Sequence, residues 1–130
     1  MIFPYKRVSL DKRGPVVPIR VQGARRWLYA NAFVDTGADY SVFYSEVASM
    51  LGLRMQQGER REVTVGDGDA MVLYMHTLPV IFCGATFSAR VGFSGQLGTG
   101  FNILGRDSFF DRFQFCFNDR DKRLRVTRLK

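Results

Sequence analysis

The sequence predicts an all-β domain, built as an antiparallel barrel or sandwich. Short apolar runs, several of them alternating with polar residues, recur at short and regular spacing along the chain. Each run is bounded by Gly, Pro, Asn or Asp, which favour turns. The 130 residues are 46% hydrophobic and include 12 Phe, which is enough for one core and too apolar for disorder. We therefore expect a single domain over residues 1–130.

The first two predicted strands form a hairpin around the turn Gln22–Arg26, and six more strands follow. In chain order the predicted strands are Val16–Val21, Trp27–Val34, Glu62–Val65, Met71–Thr77, Leu78–Phe82, Thr86–Phe93, Gln114–Phe117 and Leu124–Thr127.

Two short helices are predicted between the strands. The first covers Tyr44–Leu51, whose apolar residues recur at helical spacing and which stops at Gly52, a residue that favours the left-handed turn after a helix. The second covers Asp107–Phe113, where three Phe would share one face.

The formal net charge is +7, from 19 basic and 12 acidic residues, and the basic residues gather at the two ends of the chain. Such ends can bind phosphate backbones nonspecifically, or they can serve as solvated flanks. No RNA-binding motif, zinc finger or recognition-helix pattern accompanies the charge. We therefore favour solvated flanks and expect no specific nucleic-acid partner.

The few Cys and His residues exclude several kinds of site. Cys83 and Cys116 lie in apolar stretches and are expected to be free thiols. The single histidine, His76, lies in an alternating stretch and is interpreted as a strand residue, so neither a zinc site nor a Ser/His/Asp triad is expected. No apolar run is long enough to cross a membrane and no secretory signal is evident, which predicts a cytoplasmic protein.

The most informative stretch is Phe33-Val34-Asp35-Thr36-Gly37-Ala38-Asp39. An apolar strand here runs directly into a carboxylate on a tight loop that Gly37 permits. Because Asp35 would lose solvent, its charged form needs hydrogen bonds, and we expect them from the Gly37 and Ala38 amides. An ordinary Asp and Thr turn after a strand would explain the same residues.

This loop resembles the active-site loop of the retropepsin-type aspartic proteases. A second segment, Phe101-Asn102-Ile103-Leu104-Gly105-Arg106-Asp107, resembles the apolar-apolar-Gly loop followed by Arg in that family. The helix that ends before Gly52 and the Gly-rich segment Val65–Asp69, at the position of the family's flap, follow in the expected order. The resemblance covers about Val16–Thr127, which is most of the chain.

The resemblance implies a closed, antiparallel, barrel-like retropepsin fold, with one or two short helices and one lobe per chain. It also implies an aspartic endopeptidase that acts on polypeptide and needs no metal and no cofactor. Two carboxylates must share one proton in this mechanism, and the sequence has only one such loop. The active unit is therefore expected to be a homodimer in which the two Asp35 residues meet, with the chain ends Met1–Tyr5 and Leu124–Lys130 in an interface sheet.

The family's site residues carry over to this chain position by position. Asp35 would act as general base and general acid, Thr36 would hydrogen-bond across the dimer, and the Gly37 carbonyl would bind the substrate backbone. Substrate contacts are further expected from Ala38, Asp39 and the flap residues Gly66, Asp67 and Gly68. Structural support is expected from Ile103, Leu104, Gly105 and Arg106, with Arg106 paired to Asp39.

Two alternatives remain open at this point. An Asp-Gly hairpin turn explains the flap residues as well as a flap does. A fold does not prove an activity, so the chain could be a catalytically silent dimerisation or peptide-binding module. The intact Asp35-Thr36-Gly37 sequence favours the peptidase.

Overall fold

The computed structural model describes all residues 1–130. Most of the regular structure is β-strand, with one short α-helix and one 3-10 turn, Met55–Gln57. In chain order the elements are β1 (Ile2–Pro4), β2 (Lys6–Arg7), β3 (Arg13–Gly14), β4 (Val16–Gln22), β5 (Trp27–Val34), β6 (Ser41–Tyr44), α1 (Ser45–Met50), β7 (Glu59–Thr64), β8 (Ala70–Phe82), β9 (Ala85–Ser94), β10 (Asn102–Leu104), β11 (Phe113–Asn118) and β12 (Arg123–Arg128).

The main sheet has the strand order β4-β5-β10-β6-β9-β8-β7. β4 also pairs with β8, through Arg20 with Ile81 and Val21 with Val80. Six strands therefore close into a ring, and β7 extends from it as one arm of the β7–β8 hairpin. A separate three-stranded sheet, β1-β12-β11, joins the two chain ends. This all-β, barrel-like arrangement confirms the predicted fold class.

Two apolar clusters fill the protein. The larger one includes Phe43, Phe82 and Phe93 of the ring strands, all fully buried, and extends to Leu124 and Val126 of the terminal sheet. The smaller one, called the second cluster below, packs against both the loop that follows β5 and the β7–β8 hairpin. It consists of Val42, Met71, Leu73, Met75, Leu97 and Ile103.

The eight predicted strands are all present, including the hairpin of β4 and β5. Met71–Thr77 and Leu78–Phe82 form one continuous strand, β8. The sequence did not predict the shortest strands, and the expectation of antiparallel pairing was incomplete. Two of the pairings, β5 with β10 and β6 with β9, are parallel.

One of the two predicted helices is present. The first, α1, is followed by Gly52 at φ +75°, as the sequence predicted. The second prediction was wrong, because residues 107–112 form successive turns. Ser108 has a φ of 71°, which a continuous right-handed helix cannot contain. Phe109 and Phe113 are nevertheless buried, so the spacing of these apolar residues reflects their packing in the core and not a helix.

The thiols and the histidine occupy structural positions. Cys83 is half-buried and Cys116 is exposed, and both are free. His76 lies in β8, and its Nε2 is 2.9 Å from the Met55 carbonyl oxygen, which accepts a hydrogen bond from it. No helix of the protein is both long enough and apolar enough to span a membrane.

Candidate active site

Asp35 follows the last residue of β5, where β10 runs alongside in parallel. The register places Phe33 beside Ile103 and Val34 beside Leu104. The Asp35 amide then donates a hydrogen bond to the Leu104 carbonyl at 3.0 Å. The two segments that the sequence singled out are therefore neighbours in the folded chain.

Asp35 is half-buried, and its carboxylate is held from within its own loop. The Gly37 amide donates to its Oδ1 at 2.9 Å, as expected. The expectation for Ala38 was wrong, because the Ala38 amide donates to the main-chain carbonyl of Asp35 at 3.2 Å and closes the turn. The other carboxylate oxygen, Oδ2, has no hydrogen bond within the chain. It is therefore free to bind water or a second carboxyl group.

Gly105 packs directly beneath this loop. A Cβ at that position would lie 2.9 Å from the Ala38 carbonyl oxygen and would overlap the main chain of Tyr40. The Gly105 amide donates to the hydroxyl oxygen of Ser41 at 3.0 Å, and Ser41 is completely buried. Only glycine allows this close approach, which fixes the floor of the loop.

Two further main-chain hydrogen bonds tie the loop to the segment after Gly105. The Arg106 amide donates to the Ala38 carbonyl at 2.9 Å, and the Asp107 amide donates to the Asp39 carbonyl at 2.8 Å. Ile103 and Leu104 are buried below them. Main-chain hydrogen bonds therefore join this segment to the Asp35 loop, and the supporting role of Ile103–Arg106 stays a prediction.

The predicted ion pair between Arg106 and Asp39 does not form. Arg106 Nη1 instead donates to the Thr36 carbonyl at 3.3 Å, and the guanidinium lies 5.4 Å from the centroid of the Phe110 ring. Because Arg106 is exposed, its guanidinium needs no carboxylate partner. The Thr36 carbonyl and the Phe110 ring supply its contacts within the chain. The Asp39 carboxylate is likewise left without a partner in the chain.

The outer part of the loop faces solvent. Thr36, Gly37 and Asp39 are exposed, whereas Ala38 is half-buried and packs against the second cluster. None of the hydrogen bonds of the chain involves the Thr36 hydroxyl. The loop thus presents a hydroxyl, a carboxylate and main-chain groups on an open surface.

The segment between β7 and β8 is a tight hairpin turn. The Val65 amide donates to the Asp69 carbonyl, and the Gly68 amide to the Val65 carbonyl, both at 2.8 Å. Gly68 has a φ of +91°, and the Asp67 carboxylate accepts the Asp69 amide at 3.0 Å. Gly66, Asp67 and Gly68 are all exposed. The predicted Asp-Gly turn is confirmed, and this geometry is compatible with a flap.

Three residues near the loop escaped the sequence analysis: Ser41, Tyr40 and Arg61. Ser41 supports Gly105, and Arg61 of β7 lies against Tyr40. The alternation of β7 could have revealed Arg61, because Arg61 and Val63 share the inward row while their neighbours are exposed. Ser41 and Tyr40 gave no sequence signal beyond their place after Asp39.

No group of three or more His, Cys, Asp or Glu is placed to hold a metal ion.

Comparisons with known proteins agree with this geometry. The family model for aspartyl proteases matches residues 16–93, and no curated protein sequence matches the chain. The structure is similar to that of a retropepsin-like aspartic protease from Rickettsia conorii, with a TM-score of 0.68 and 21% identity, over 98% of this chain and 97% of that one. It is also similar to the EIAV protease in complex with the inhibitor HBY-793, with a TM-score of 0.56 and 24% identity, over 78% of this chain and 89% of that one.

These two solved structures establish the likeness of fold, and the family model establishes membership. The model spans more than half of the chain and includes the Asp35 loop together with the β7–β8 hairpin. The chain belongs to the aspartyl protease family and has a retropepsin-type fold.

Proposed function

We propose that the chain is an aspartic endopeptidase that works as a homodimer, with Asp35 of each protomer in one shared site. The proposal rests on the hydrogen bonding of the Asp35 carboxylate. One of its oxygens is held by the Gly37 amide, and the other has no partner within the chain. A carboxylate oriented in this way can share a proton with a second one, and each chain supplies a single such loop.

The chemistry follows from two carboxyl groups that hold one proton between them. The ionised Asp35 takes a proton from a water molecule as that water forms a bond to the carbonyl carbon of the substrate. The partner subunit's Asp35, which is protonated, gives its proton to the carbonyl oxygen. The tetrahedral species then collapses, the C–N bond breaks, and the departing nitrogen takes up a proton. Peptide and water thereby become a carboxylic acid and an amine.

The substrate in this proposal is an extended polypeptide. The exposed Gly37 carbonyl and the unpaired Asp39 carboxylate are suited to bind its amides as an added strand. The tip of the β7–β8 hairpin would close over it as a flap, with Gly66 and Gly68 allowing the bend. Asp67 and Asp69 add negative charge at that tip, which would favour basic side chains of the substrate.

The terminal sheet restricts how two protomers can share strands. Over Arg123–Arg125, β12 is already paired on one side with β1 and on the other with β11. A sheet shared between protomers must therefore use the outer edge of β1 or β11, or exchange β1 onto the β12 of the partner. Pairing at the edge of β1 or exchange of β1 would place the chain ends in the interface, as the family resemblance implies.

The proposal is tested by mass spectrometry of a peptide library incubated with the wild-type protein and with Asp35→Asn. We expect internal cleavage of peptides by the wild type and none by the variant, because the substitution removes the titrating group with little change in shape. Peptides that bind to the wild type without being cleaved would instead identify a silent peptide-binding module.

A further inference from the structure

The ring of Tyr40 lies near two arginines that belong to different strands. The Cζ of Arg61 in β7 is 5.2 Å from the ring centroid, and the Cζ of Arg90 in β9 is 5.7 Å from it. Arg61 Nη1 also donates to the Tyr40 hydroxyl. Tyr40 directly follows Asp39, so these contacts join the β7–β8 hairpin and β9 to the end of the Asp35 loop.

Arg61 occupies an unusual place in β7. Along this strand Arg60 and Glu62 are exposed, whereas Arg61 and Val63 are half-buried and form the inward row. Val63 packs against the second cluster, and an apolar side chain would be expected beside it. A charged group there needs partners to offset its loss of water. Arg61 finds them in the Glu59 carboxylate, at 2.9 Å, and in Tyr40.

The main chain of Tyr40 is held in place beside Gly105, which leaves no room for movement in that direction. Arg90, whose Cζ also lies near the Tyr40 ring, pairs with Asp107 at 3.5 Å, and the Asp107 amide donates to the Asp39 carbonyl. Arg61 therefore supplies the polar contact to Tyr40 from β7, the strand that extends from the ring of strands, beside the apolar packing of Tyr40 on the second cluster.

We propose that Arg61 is a positioning residue, whose contact with Tyr40 ties the β7–β8 hairpin to the Asp35 loop and sets how readily the hairpin lifts away. The contact is a property of the free protomer. Its consequence for catalysis rests on the proposed function, in which this hairpin is the flap. A cation on an aromatic ring at a partly exposed site changes an opening equilibrium by about two- to five-fold.

Hydrogen exchange of the free protein, followed by mass spectrometry, tests the contact directly. The variant is Arg61→Met, which keeps a long side chain and removes the guanidinium. The matched control is Arg60→Met, one residue away on the outward row, where the guanidinium pairs only with Glu62 at 3.8 Å. We expect amides of residues 60–72 to exchange about two- to five-fold faster in Arg61→Met and at the wild-type rate in Arg60→Met.

Tyr40 provides the second half of the test. Tyr40→Leu should accelerate the exchange of residues 60–72 as Arg61→Met does, and combining the two should add nothing further there, because the other arginine at the ring, Arg90, belongs to β9 and not to the hairpin. Wild-type exchange of the hairpin in Arg61→Met, or equal acceleration in Arg60→Met, would overturn the proposal. Accelerated exchange in the β11 and β12 strands as well would also overturn it, since Arg61 would then support the whole fold rather than the hairpin.

The catalytic consequence has its own readout. Loosening the flap lowers the fraction of closed enzyme, so Arg61→Met should raise KM by about two- to five-fold and leave kcat within about two-fold of wild type. A loss of kcat at unchanged KM would contradict a positioning role through the hairpin. Because the exchange experiment needs no substrate, a protein that fails to cleave peptides but shows the exchange difference would refute the proposed function and leave the contact standing.

Discussion

Gly105 lies so close to the main chain of Tyr40 that a single added carbon would overlap the Tyr40 carbonyl. The contact joins the two segments that hold Asp35, because Tyr40 ends the Asp35 loop and Gly105 follows β10. The neighbouring hydrogen bonds, from Arg106 to Ala38 and from Asp107 to Asp39, depend on the same approach. The position of the Asp35 carboxylate thus depends on the absence of a side chain at Gly105.

Gly105→Ala should therefore lower the free energy of unfolding by about 1–3 kcal/mol, since backbone rather than a flexible side chain must move. Urea denaturation measures this change. Gly98→Ala is the matched control, because a Cβ there meets nothing within 4 Å, and it should change stability by less than about 0.5 kcal/mol. Equal effects of the two substitutions would refute the close approach.

Ser41→Ala should also destabilise the protein, because Ser41 binds Gly105 beneath the Asp35 loop. The Ser41 hydroxyl is the acceptor for the buried Gly105 amide, and its removal leaves that donor unpaired at a cost of about 1–3 kcal/mol. Thermal or urea unfolding gives the value, with the exposed Ser49→Ala as the control. A stability equal to wild type would mean that another acceptor replaces Ser41.

The two thiols should differ in reactivity toward alkylating reagents. Burial raises the pKa of Cys83 to about 11, so at pH 8 almost none of it is the reactive thiolate. Cys116 is exposed, and peptide mapping after brief treatment with iodoacetamide should find it modified well before Cys83. In strong denaturant both should react alike. Faster modification of Cys83 in the folded protein would contradict its burial.

The raised pKa of Cys83 also predicts how the stability of the protein changes at alkaline pH. The unfolded thiol ionises near its ordinary value of 9.0 and the folded one only at about 11, so unfolding becomes easier as pH rises between these values. Below pH 9 the contribution of the protonated Cys83 thiol to the free energy of unfolding is fully present. Cys83→Ala should show a smaller loss of unfolding free energy between pH 9 and 11 than the wild type, as measured by urea denaturation. An identical pH dependence of the two proteins would contradict the assignment.

Ala38→Ser should move the pH profile of peptide cleavage toward acid. Under the proposed function, a hydroxyl at this position in the Asp35 loop would donate to the charged carboxylate and favour the charged form. A hydrogen bond to a charged group is worth about 1.5–3 kcal/mol before competition from water, so we expect a shift of about one pH unit or less. The alkaline limb of the rate profile should fall first. A profile that stays in place or moves to higher pH would refute the argument.

Much of the site could be predicted from sequence because it is made of main-chain geometry. Asp35 lies where β5 ends, Gly37 lies in the tight turn that follows, and Gly105 lies where two main-chain segments approach closely. Each of these backbone requirements limits the residue type. The long alternating strands were predicted for a similar reason, since the period of two is visible over six or more residues. Their parallel neighbours, β6 and β10, have four and three residues and show no such period.

The errors concern contacts that local sequence does not specify. Arg106 was expected to pair with Asp39, yet its exposed guanidinium takes a carbonyl and an aromatic face. Residues 107–112 have helical apolar spacing, but the positive φ of Ser108 interrupts the helix. The contact of Arg61 with Tyr40 joins residues 21 apart, and only the pairing of strands brings them together.

The central claim, that one site needs Asp35 from two chains, is tested most directly by mixing subunits. Wild-type protein is equilibrated with increasing amounts of Asp35→Asn, and cleavage of a fixed peptide is measured per wild-type chain. If mixed dimers are inactive, an equal mixture should retain about half of the activity per wild-type chain, and a large excess of the variant should abolish it. Activity per wild-type chain that stays constant at every ratio, with subunit exchange verified by mass spectrometry, would show that each chain carries a complete site and would contradict this account.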